Sequence, residues 1–146
     1  MANVFDVANW FLYHNKFLRI FLDQDTDKIS NLKLQKLLYY AQGSFLALKG
    51  KPLFDDPIMA WKHGPVVEAV YKKYCVFGAS GINSLEYFQL EDEEQEVLLE
   101  VYNTFGGYSA WGLRNLTHSE TPWKETEQLS EIPQEKIKKY FKKHYI

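Results

Sequence analysis

Apolar residues in the first third of the chain recur at three- and four-residue steps, the spacing of one buried helix face. Val4, Val7, Ala8, Phe11, Leu12, Leu18, Phe21 and Leu22 follow it, and Asn3 is placed to cap the first amides, so the pattern predicts a helix over 4–22. The polar run Asp23-Gln24-Asp25-Thr26-Asp27 ends it. Ser30 then caps a second helix from Asn31 to Lys49, with Leu34, Leu37, Leu38, Ala41, Phe45 and Leu48 as its core stripe. Gly50 stands where a helix terminus favours a left-handed residue, and Pro52 follows shortly. Gly43 sits inside this helix, where glycine costs about 1 kcal/mol against alanine. Its presence predicts a close helix crossing.

Past Gly50 the periodicity shortens. Residues 51–57 read as an irregular turn, and Ile58-Met59-Ala60-Trp61 as a small strand or extended arm. Pro65 suits the first position of a helix running through Tyr74, with Val66, Val67, Val70 and Tyr71 turned inward. Residues 77–83 form a loop. Glu91 to Glu94 place carboxylates at the positive end of a helix reaching Tyr102. Gly106-Gly107 break the chain before a short helix from Ser109 to Leu116, and residues 117–123 read as a turn. After Pro133 a last helix sets Ile137, Tyr140 and Phe141 on one side and Lys136, Lys138, Lys139, Lys142 and Lys143 around the rest. The expected fold is mainly α: one compact domain over 1–146, five to six helices, at most a short β segment near residues 53–62, and no separate DNA-binding domain.

Composition narrows the function classes. With 146 residues and 46% apolar content the chain can bury a core without a metal or disulfide. Aromatics reach 16%, enough to serve both a core and an interaction surface. Seventeen basic and 19 acidic residues leave a net charge of −2, which supplies no whole-domain field for phosphate backbones. The lysine-rich last helix reads as a solvated face, and no helix pair has the short turn and basic recognition helix of a DNA reader. Specific DNA binding is therefore not expected without a partner. The single cysteine fits a reducing compartment, and the N-terminal stretch lacks the basic region and small-residue cleavage site of a signal peptide. With no apolar run of spanning length, a cytoplasmic protein that engages no membrane is expected.

Catalytic groups are not apparent. Cys75 lies between Tyr74 and Val76-Phe77, an apolar setting that predicts a packed thiol rather than a nucleophile. The histidines at 14, 63, 118 and 144 have no partner at ligand spacing, so no metal is expected. Phosphate-cradling glycine motifs are absent, and no cofactor is expected. On the second helix, Lys33, Lys36 and Tyr40 fall at i, i+3 and i+7, and Gln35, Tyr39 and Gln42 at i, i+4 and i+7, on either side of the leucine stripe. Such interleaving suits a partner surface; it also suits the edge of a core with tyrosine hydroxyls in water.

The stretch Ile29-Ser30-Asn31-Leu32-Lys33-Leu34-Gln35-Lys36-Leu37-Leu38-Tyr39-Tyr40-Ala41-Gln42-Gly43 resembles the opening signature of the Panacea domain family, the SocA-like, phage-associated proteins long catalogued as a domain of unknown function. A second block resembles the family over Gly50 to Phe54, Ala60-Trp61-Lys62-His63-Gly64-Pro65-Val66-Val67 and Val70-Tyr71. A third runs from His118 to Pro122-Trp123, so the likeness extends from Val4 to Trp123. The resemblance implies an antitoxin that neutralises a neighbouring-gene toxin by direct contact, with that cognate protein toxin as partner. One described relative instead delivers its toxin to a ClpXP-type protease, which is the alternative reading. The family supplies no catalytic residue. Lys33, Lys36 and Tyr40 are the candidate toxin contacts. Trp61, His63, Gly64, Pro65, His118, Pro122 and Trp123 are expected to be structural, interlocking the middle arm with the C-terminal turn.

Overall fold

The computed structural model describes residues 1–146 and is built around one helix that the others enclose. That helix, α2 (Asn31–Lys49), packs against α1 (Val4–Ile20), α3 (Glu68–Tyr74), α4 (Asp92–Phe105), α5 (Ala110–His118) and α7 (Gln134–His144). A one-turn helix, α6 (Thr121–Lys124), and an antiparallel ribbon of β1 (Met59–Trp61) and β2 (Gly64–Val66) complete the order. The fold is therefore mainly α, as expected.

The long helices end where their capping chemistry dictates. Asn3 accepts from the Phe5 amide at 2.8 Å, and Ser30 accepts from the Lys33 amide at 3.3 Å. Gly50 closes α2 at φ 76°, a left-handed conformation that glycine adopts without steric cost. At the start of α4, Glu91 and Glu94 exchange side-chain and backbone bonds in a reciprocal capping box. No helix is long and apolar enough to cross a membrane.

The close crossing at Gly43 is present. An added Cβ would clash with Cε1 and Cζ of Phe141 in α7, so the missing side chain is the space in which the Phe141 ring lies.

Three local elements differ from the sequence reading. Pro65 lies in β2, opposite Ala60, rather than at a helix start; α3 begins later, after Val67. The Pro65 ring removes only an amide, and its carbonyl remains available to accept a bond. Tyr71 is exposed, because the shorter α3 turns only Val70 and Tyr74 into the core. Within the turn predicted over 117–123, Thr121–Lys124 closes into α6 with Pro122 in its first turn. The ribbon is also widened by the 129–132 segment, where Ala60 donates to Ser130 O at 2.9 Å and Ile132 to Ile58 O at 2.8 Å.

Gly43→Ala sets two terms against each other. Alanine favours a helix by about 1 kcal/mol, whereas forcing a methyl into a packed crossing costs roughly 1–3 kcal/mol. The Phe141 contact decides the sign, so the variant is expected to unfold at lower denaturant with an unchanged m-value. A variant as stable as the parent would show that α7 is free to shift away.

Candidate functional site

Sixteen of the nineteen residues of α2 are buried, and seven of the buried ones carry hydrogen-bonding or charged side chains that reach other segments. Together they reach α3 and its entry, the ribbon, the Leu53–Phe54 turn, the end of α4 and Glu120. Asn31 donates to Tyr71 O at 3.1 Å, and Gln35 accepts from the Val67 amide at 2.9 Å, which fixes both ends of the entry to α3. Gln42 accepts from the Leu53 amide and donates to Phe54 O, both at 2.8 Å, so its amide stands in for a neighbouring strand. Lys33 donates to Gly106 O at 2.6 Å, placing a cation on the C-terminal carbonyls of α4, where the helix dipole favours it. Lys36 donates to Pro65 O at 2.9 Å. Above it Gly64, at φ 109°, leaves no room for a Cβ, which would stand 2.7 Å from Lys36 Cε and 2.9 Å from Thr117 Oγ1.

Glu120 receives the remaining ties. Tyr39 donates to its Oε1 at 2.9 Å and Tyr40 to its Oε2 at 3.1 Å, while Tyr145, just past α7, also donates to Oε2. A carboxylate accepts at both oxygens, so three hydroxyl donors, two from α2 and one from just past α7, suit its anionic form. Burial raises the Glu120 carboxyl above the usual range while these bonds oppose the rise, and burial beside the carboxylate pushes the tyrosine hydroxyls upward.

The other motif residues meet nearby. His118 stacks on Trp123 with ring centroids 3.8 Å apart and planes 6° from parallel, and Trp123 Nε1 donates to Trp61 O at 2.8 Å. Burial, then the cations Arg114 and Lys36, hold His118 below its ordinary pKa, which favours a neutral stacked imidazole. Pro122 is buried beneath.

The structure thus overturns the surface reading of Lys33, Lys36 and Tyr40. Their exposures are 5%, 0% and 0%, so the candidate toxin contacts face the interior. Both flanks of the leucine stripe are covered by other elements, which spacing on a single helix does not reveal. Of the seven motif residues expected to be structural, only His63 is exposed. Cys75 is exposed rather than packed, at the end of α3.

What the surface over this knot presents was not singled out in the sequence. On α5, Trp111 is 53% exposed, and the Arg114 guanidinium lies 4.3 Å from its ring centroid. Arg114 Nε also donates to His63 Nδ1 at 3.4 Å across to the turn of the ribbon. The signal was the Trp111–Arg114 pair at i, i+3 on a short helix whose core stripe, Leu113 and Thr117, faces the other way. Beside this patch a cleft of about 350 Å³ opens between α2, α3 and the ribbon, with Trp61, Lys62, His63 and Tyr71 in its wall. A second hollow of about 240 Å³, between α1 and residues 82–85, contains Ile29 at its edge but none of the tying polar groups.

Comparison with known proteins places this architecture. The family described as Antitoxin SocA-like, Panacea domain, matches residues 34–124. Antitoxin SocA of Caulobacter vibrioides (strain NA1000 / CB15N) is 38% identical over 109 residues, 65% of this chain and 58% of that relative. The chain thus spans less than two thirds of the length of the curated relative it matches. No solved structure matches it.

The buried amine of Lys36 gives a pH-dependent prediction. Burial, then the nearby Arg114, lowers its pKa to about 7 from 10.5. The unfolded chain therefore binds the extra proton between those values, and the folded protein loses stability as pH falls from about 10 toward about 7, by about 1 kcal/mol per unit. Lys36→Met removes this slope. Urea unfolding at pH 7 and at pH 9.5 should show the variant gaining relative to the parent at the lower pH. An equal difference at both values would contradict a lowered lysine.

Proposed function

The chain belongs to the SocA-like antitoxins that carry the Panacea domain, and from that premise we propose that it neutralises a toxin encoded by a neighbouring gene through direct protein contact. The relative named Antitoxin SocA supports this reading. One structural observation carries it: polar side chains of the first motif block, on α2, are taken up by internal ties, at Gly106 O, Pro65 O, Phe54 O and Glu120. A reacting site needs a nucleophile or base within reach of a substrate. Here Lys36 and Glu120 are enclosed, and the exposed aromatic side chains include Trp111, Tyr13, Tyr71, Tyr87 and Tyr108, residue types that protein interfaces favour. The proposed activity is therefore binding rather than catalysis. It requires no cofactor and no DNA contact by this chain alone.

Co-expression of the chain with the adjacent reading frame in a bacterial host tests the proposal. Growth should be restored, and the two proteins should co-purify as a stable complex. Rescue without a complex, dependent on the host's ClpXP-type protease, would replace masking by degradation. No rescue would end the antitoxin reading.

A further inference from the structure

Several features stand outside the knot. An aromatic ladder along α1 and its C-cap leaves Tyr13 and Phe21 exposed with Phe17 half-buried between them, but nothing in the structure says what covers it. The patch on α5 differs because its charges define a partner.

We propose that Trp111, Arg114 and His63 form the docking surface for the toxin and that the partner contributes an acidic side chain to it. This rests on the antitoxin reading above. A guanidinium has five N–H donors in a planar fork. In Arg114 one reaches His63 Nδ1 at 3.4 Å and another Asn115 Oδ1 at 3.0 Å, and neither acceptor is a carboxylate. The remaining N–H groups stay available for a bidentate acceptor.

The charge of Arg114 acts on both Lys36 and His118, so these groups lie close together. The ion pairs of the chain join Lys49 to Glu93, Lys72 to Glu68 and Lys73 to Glu86, and none involves this cluster. The Arg114 guanidinium therefore has no counter-ion within the chain. Trp111 supplies the apolar anchor beside the charge. Its ring already carries the guanidinium 4.3 Å away, so arginine is pre-oriented before a partner arrives. A partner carboxylate approaching the fork would complete a charge pair next to an exposed indole that the partner covers, the composition of an interface hot spot.

Calorimetric titration of the full chain with the purified neighbouring-gene toxin tests this. Trp111→Ala and Arg114→Ala are each expected to weaken binding on the order of 30-fold. Arg114→Lys should recover only part of the loss, because it keeps the charge without the fork. Affinity of the parent should fall with added salt more steeply than that of Arg114→Ala. Unchanged thermal unfolding of these surface variants confirms that the fold is intact, and Phe21→Ala, on the α1 ladder, serves as a remote control. If the parent binds while the α5 variants stay within about threefold of it, or if Phe21→Ala alone carries the loss, the docking surface is wrong and the antitoxin reading survives. If the parent does not bind the toxin, direct neutralisation fails and the docking surface fails with it.

Discussion

A helix enclosed on every side has no water toward which its polar side chains can turn, and α2 carries polar side chains on nearly every turn. Leaving one such group unpaired costs about 1–3 kcal/mol, a large share of a domain's net stability. The rest of the fold is arranged to prevent that. The Leu53–Phe54 turn lies where Gln42 satisfies it, β2 where Lys36 reaches its carbonyl, and α4 ends where Lys33 covers its last turn. Each tie joins α2 to a segment at least eleven residues away, and Tyr39 and Tyr40 reach Glu120 across eighty. Apolar packing supplies the driving force; the polar ties select one arrangement of the shell.

This constraint explains why the family-like blocks are far apart in the chain yet form one unit. Asn31, Gln35, Lys36, Tyr39, Tyr40 and Gln42 belong to the first block, and their acceptors and donors lie in the others, while Lys33 of the same block reaches Gly106 outside them. A signature of that kind describes how a scaffold is held rather than what it reacts with. Under the proposed role, specificity for a toxin then resides in the shell, where side chains can change without disturbing α2.

The boundaries of α2 and the cap of α1 were legible in the sequence because capping is local: Asn3, Ser30 and Gly50 act within one turn of where they stand. The crossing at Gly43 was legible for a different reason, since a glycine inside a strong helix needs a cause. Long-range pairing was not. Pro65 has the local chemistry of a helix start, and only the opposing Ala60 and the Lys36 amine place it in a strand. Lys33, Lys36 and Tyr40 share a face in either setting, and a single helix does not say how many neighbours surround it. Cys75 looks apolar in its sequence context but lies where α3 gives way to a tight turn at the surface. The Trp111–Arg114 patch depended on His63, fifty-one residues from Arg114, to be seen as a group.

Native-state hydrogen exchange of Glu120→Ala beside the parent protein tests the central claim most directly. One carboxylate joins Tyr39 and Tyr40 of α2 to Tyr145 beyond α7 and sits at the start of α6. If buried polar ties from α2 hold the shell in place, removing it should lower the protection of α2, α6 and α7 amides together and by similar amounts. Loss confined to the end of α7, with α2 exchanging as slowly as before, would contradict the account.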